Sequence, residues 1–163
     1  MPIYDEISAN KRKSFLLIFC FFILVVFLGY ALGMLYGNQY SGIILAFVIG
    51  IFYFLFSYYA GASAILAMTG AKEATKPHYT HLINTVEGLA IAAGLPMPKV
   101  YVIDDTALNA FATGRDPKHA TVTVTTGLLA KLNKLELEGV LAHELSHIKN
   151  FDIPVMILAA VMV

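Results

Sequence analysis

Charge is scarce in this sequence. Of 163 residues only 13% are Asp, Glu, Lys or Arg, and eleven basic residues balance eleven acidic ones. Without a basic excess there is nothing to neutralise a phosphate backbone, so nucleic acid is excluded as a partner. The single cysteine, Cys20, rules out an intramolecular disulfide framework and reads as a small apolar packing residue. A disordered tail is excluded as well, because that requires low hydrophobicity and high net charge. What the chain has in excess is apolar surface: 58% apolar residues and a mean hydropathy of +0.72 point to a membrane protein.

The scarcity of charge is also local. Between Lys13 and Lys72 there is no Asp, Glu, Lys, Arg or His. Such a stretch holds two crossings of about 20 apolar residues each. The first runs from Phe15 to about Tyr36, the polar residues Gly37 to Gly42 form a turn, and the second runs from Ile43 to about Ala67. Gly61-Ala62-Ser63-Ala64 offers a small-residue patch for packing against the first helix. The first run is too long for the h-region of a cleaved signal peptide, and no polar stretch with a cleavage site follows it. Lys11, Arg12 and Lys13 precede the hairpin and Lys72 and Lys76 follow it, so the positive-inside rule puts both ends in the cytoplasm.

From Lys72 to Asp152 the composition is that of a soluble domain, with eight basic and nine acidic residues. Pro77 opens a helix, Gly94 stops it, and Pro96 and Pro98 block its continuation. Lys99–Ile103 reads as a strand, residues 109–117 as a short extended piece and a turn, and Thr121–Thr125 as a half-buried strand at a sheet edge. A short helix to Lys131 follows. Asn133 and Glu136 then form a capping-box pair for a helix that ends near Asn150.

That last helix carries His143-Glu144-Leu145-Ser146-His147, an H-E-x-x-H sequence. Residues four apart differ by about 40° around a helix axis, so both imidazoles share one face and can bind one ion. Neutral imidazole suits Zn²⁺, which in catalytic sites keeps three protein ligands and an open position. Glu144 lies beside the pair, placed to take a proton from an attacking water and pass it to a leaving amine. Peptide-bond hydrolysis is the reaction these parts suit. A helix face can also carry two histidines for packing or solvation. Against that, the helix is capped, and the two histidines lie among apolar neighbours in sequence.

Around this motif the sequence resembles the HtpX-type membrane metalloproteases, heat-shock-linked quality-control enzymes of the bacterial inner membrane. The likeness covers nearly the whole chain: two N-terminal spans, Asn109-Ala110-Phe111-Ala112-Thr113-Gly114, Val124-Thr125-Thr126-Gly127-Leu128-Leu129, and the run from Glu136 to Ile148. The resemblance implies an α-helical membrane hairpin plus an α+β zincin-like metalloprotease domain. It implies one Zn²⁺ per subunit held by His143 and His147, with Glu144 catalytic. It further implies a multi-pass protein of the plasma (inner) membrane, in contact with membrane lipid and acting from the cytoplasm on misfolded or damaged membrane proteins. An extended segment before the metal helix would hold substrate as an added strand.

One departure stands out. The family takes a third zinc ligand, a glutamate, from a helix well downstream, whereas the only acidic residue after the motif here is Asp152, five residues past His147. Asp152 suits a supporting or capping role better than a ligand's. The expected organisation is therefore a cytoplasmic segment (1–14), the hairpin (15–69), the front part of the protease domain (72–152), and the start of a third span (153–163). On this reading the chain is an N-terminal fragment, incomplete at its C-terminus. The alternative function is a catalytically incomplete, membrane-anchored adaptor; a metal-dependent hydrolase of non-peptide substrates is a third. His78 and His81 near a helix start read as solvated, His119 as a surface residue, and Asp104-Asp105 as turn residues.

Overall fold

The computed structural model describes residues 2–153, with side chains from Ile7 onward. The expected third span from residue 153 lies almost entirely outside them. Two long helices come first: α1 (Pro2–Leu35) and α2 (Gln39–Met68). The uncharged run supplies α2 and all of α1 beyond Lys13; the stretches Ile7–Leu35 and Gln39–Met68 are long and apolar enough to cross a membrane, their most apolar 18-residue segments having mean hydropathies of 2.9 and 2.2. The turn is tighter than the polar stretch suggested. Asn38 caps α2, its Oδ1 accepting from the amides of Tyr40 and Ser41 at 3.1 and 3.2 Å, so Gln39 to Gly42 already belong to the helix.

The helices approach closely near this turn. A Cβ on Gly42 would lie 2.3 Å from the carbonyl oxygen of Gly29 and 2.6 Å from the Cα of Gly33. Farther along, Phe22 packs between Phe47 and Phe54, with ring centroids 5.4 and 6.0 Å away. Ala62 and Ser63 of the other small-residue patch line a cleft towards the sheet with Lys99 and Tyr101.

A small α/β domain follows, made of β1 (Lys72–Glu73), α3 (Lys76–Ala93), β2 (Lys99–Ile103), β3 (Ala110–Thr113), β4 (Thr121–Thr125), α4 (Thr126–Lys131) and α5 (Lys134–Lys149). Gly94 ends α3 with φ +70°, a left-handed conformation that a residue without Cβ adopts cheaply. The sheet order is β1-β2-β4-β3, with β2 and β4 parallel and the outer pairs antiparallel. Register aligns Val100 with Val122 and Val102 with Val124 on one face. Leu82 and Val86 of α3 and Leu141 and Leu145 of α5 join these valines in the core. This burial fixes α5 across the sheet and decides which of its faces is left for chemistry.

Two features differ from the sequence expectation. β1 was not legible in a two-residue segment. β4 is not a half-exposed edge strand: it lies between β2 and β3 and all five of its residues are buried. Its threonines face away from the valine core; Thr123 Oγ1 is buried with no hydrogen-bond partner among the described residues, whereas backbone carbonyls satisfy Thr125. Thr125 Oγ1 lies 2.6 Å from the carbonyl oxygen of Ala107 and 3.1 Å from that of Asn109. A hydroxyl bonded in this way is as buriable as a valine, so the alternation signalled two different buried faces rather than one wet one.

Candidate metal centre

The centre is built on α5, whose start is fixed by the capping box. Asn133 Oδ1 accepts from the Glu136 amide at 3.1 Å, while Glu136 Oε2 accepts from the Asn133 amide at 2.9 Å. Leu137, Leu141, Leu145 and Ile148 are buried on one side. The helical repeat then turns His143, Glu144 and His147 away from that core. His143 is exposed, and His147 and Glu144 are half-buried. Leu141 and Leu145, two positions to either side of His143, therefore face the core rather than the imidazole.

The two imidazoles converge. Nε2 of His143 and Nε2 of His147 are 3.2 Å apart, with the rings nearly perpendicular at 84°. Two nitrogens bound to one tetrahedral zinc at bonds of about 2.05 Å sit about 3.3 Å apart, so the donor pair fits such an ion. His147 Nδ1 lies 3.0 Å from Asp152 Oδ2. A carboxylate there can only accept, so Nδ1 carries the proton and the Nε2 lone pair is left for a metal. Among the described residues no group of three His, Cys, Asp or Glu side chains gathers around one point. These residues fit two positions of a metal site and supply no third.

Glu144 takes a different direction. Its Oε2 accepts the backbone N–H of Ala112 at 3.1 Å. Ala112 belongs to β3, an outermost strand of the sheet, so this carboxylate rests against a sheet edge. Sequence reasoning missed the contact, although the extended reading of residues 109–117 was its one available trace.

The end of α5 carries a second set of contacts. Asn10 Nδ2 of α1 donates to the carbonyl oxygen of Asn150 at 3.1 Å and to Asp152 Oδ1. The Lys11 ammonium lies 4.6 Å above the Phe151 ring. No local pattern announces these pairings, which join residues 140 or more positions apart.

The other candidates stay apart from the centre. His78 and His81 are exposed on α3, and His119 is bonded to Asp116 at 2.8 Å. Burial raises the Asp116 pKa, but hydrogen bonds from the His119 ring and amide and the Lys118 amide outweigh it and hold the carboxyl below its usual range.

Comparison with known proteins adds a lineage to this geometry. Residues 78–163 match Peptidase family M48. A protease HtpX homolog of Dictyoglomus turgidum is 48% identical over 160 residues, covering 98% of this chain and 53% of that protein. One from Listeria monocytogenes serotype 4b is 48% identical over 163 residues, covering 99% and 54%. One from Streptococcus thermophilus is 44% identical over 161 residues, covering 98% and 54%. The chain thus spans about half the length of the curated relatives it matches. A crystal structure of S. mikatae Ste24p aligns with a TM-score of 0.54 at 20% identity, over 97% of this chain and 37% of that one, a likeness of fold.

Proposed function

The chain belongs to peptidase family M48, and from that premise we propose that it carries the membrane anchor and the metal-binding helix of a zinc-dependent endopeptidase. Its substrates on this reading are misfolded or damaged membrane proteins, cut on the cytoplasmic side of the plasma membrane. The observation that carries the reading is the 3.2 Å convergence of the His143 and His147 Nε2 atoms beside a carboxylate held on a sheet edge.

His143 and His147 would hold the ion, with a third ligand from outside the described residues. Zinc, when bound, supplies Lewis acidity that polarises a scissile carbonyl and makes hydroxide accessible near neutral pH. The chain's own groups do the rest. Asp152 holds His147 in the tautomer whose Nε2 can ligate. Glu144 accepts the proton of the water that adds to the carbonyl carbon, then delivers it to the amine nitrogen as the C–N bond breaks. β3 offers an extended backbone along which a substrate strand can pair, and the Ala112 N–H keeps Glu144 at that edge. Backbone pairing reads extended conformation rather than side-chain identity, which suits a protease of misfolded chains.

The test is Glu144→Gln in the natural protein. Zinc content should stay stoichiometric while peptide cleavage falls by about 10²- to 10⁴-fold, the usual contribution of a positioned acid–base group. Cleavage at the wild-type rate would refute the assignment. A second reading, a membrane adaptor that keeps the hairpin and a binding surface, is favoured only by there being two converging imidazoles and no third donor among the described residues. Tight stoichiometric zinc would eliminate it.

A further inference from the structure

We infer that Asn10, near the start of the first membrane helix, is a positioning residue for the metal centre, holding the carboxylate that orients His147. The inference rests on the zinc reading above and gives the hairpin a role beyond anchorage.

Asp152 divides its two oxygens. Oδ2 accepts a hydrogen bond from His147 Nδ1 at 3.0 Å, and Oδ1 accepts one from the Asn10 side-chain amide. The same amide also bonds the Asn150 carbonyl at 3.1 Å, bracketing the turn from both sides. Asp152 needs this help for a geometric reason. On a continuous helix, residues five apart differ by about 140° around the axis, so a carboxylate at 152 would point away from His147. The helix instead stops at Lys149, and Phe151 turns the chain with φ +57°. For a bulky residue that conformation is an outlier which its surroundings must hold in place. The surroundings here are neighbouring residues of α1: Asn10 bonds the residues on either side of Phe151, and Lys11 sits over its ring. Local sequence cannot secure this turn; a docked membrane helix can. Seating of α1 and readiness of His147 to bind metal are thereby one coupled event.

The experiment measures zinc affinity by chelator competition on the natural protein in detergent. Loss of a direct partner of a metal-ligating histidine costs about 10- to 100-fold in affinity. Asn10 acts one step farther out, so Asn10→Ala should weaken zinc binding about threefold. Asn10→Asp, of the same size but presenting a carboxylate to Asp152, should lose at least as much, and stands in if the alanine variant does not fold. Asn10→Gln, which keeps the amide donor, should recover part of the loss. In an Asp152→Ala background, Asn10→Ala should have no further effect.

Unchanged affinity in both Asn10→Ala and Asn10→Asp overturns the inference. So does an equal loss with and without Asp152, which would show that Asn10 only supports the fold. His147→Ala separates this from the parent reading. If that variant binds zinc as tightly as wild type, the zinc reading itself fails and the relay with it. If it loses zinc while the Asn10 variants do not, the relay alone is wrong.

Discussion

Replacing Asp152 by alanine perturbs the candidate centre without touching a proposed ligand. The structure sets the size of the effect. The Asp152–His147 bond is charge-assisted and 3.0 Å long, but its side chains are 27% and 32% exposed. Water can therefore replace part of what the carboxylate does. That favours the lower end of the usual 10- to 100-fold range, about tenfold weaker zinc binding or about 1.4 kcal/mol. Asp152→Asn keeps an oxygen that can accept from Nδ1 and loses only the charge, so about threefold is expected, or about 0.6 kcal/mol. Competition against a chromophoric chelator at fixed pH reads both. Equal affinity in wild type and Asp152→Ala would falsify the view that this carboxylate fixes the His147 tautomer. A larger loss in the asparagine than in the alanine variant would contradict the reasoning too.

Two further outcomes follow from packing and from charge. Gly42→Val should destabilise the hairpin by about 1–3 kcal/mol, because its new atoms meet backbone of Gly29 and Gly33 that cannot give way, whereas Gly88→Ala in open space on α3 should stabilise by about 1 kcal/mol; thermal unfolding in detergent compares them. Asp116, whose side chain accepts from the Lys118 and His119 amides, should cost about 1 kcal/mol at neutral pH when replaced by alanine. Because its carboxyl is held below the ordinary value of 3.8, the stability it contributes is present above that pH and is lost as pH falls through the depressed pKa. Acid unfolding of Asp116→Ala should therefore fall less steeply below about pH 4 than that of wild type.

Much of the fold was legible because its signals are local. Asn133 and Glu136 announce the start of α5 by a pairing that spans three residues, and the structure contains both bonds. Gly94 announces the end of α3 in the same way. β4 was misjudged because alternation reports that two faces differ, not that one is wet, and only its neighbours β2 and β3 bury it. β1 escaped because a two-residue strand carries no periodicity of its own and exists by pairing with β2.

The site divides along the same line. Helical periodicity brings His143 and His147 to one face, and the absence of charge from residue 14 to 71 reserves that stretch for apolar helices. Those conclusions need only the geometry of one helix and the solvation of charge. Tertiary structure alone decided that Glu144 rests on the Ala112 amide, that Asp152 turns back to His147, and that Asn10 secures it. Each of these contacts joins groups on different elements or across a left-handed turn. Their geometry depends on how the elements pack, and that is set by the whole core rather than by the residues that use it.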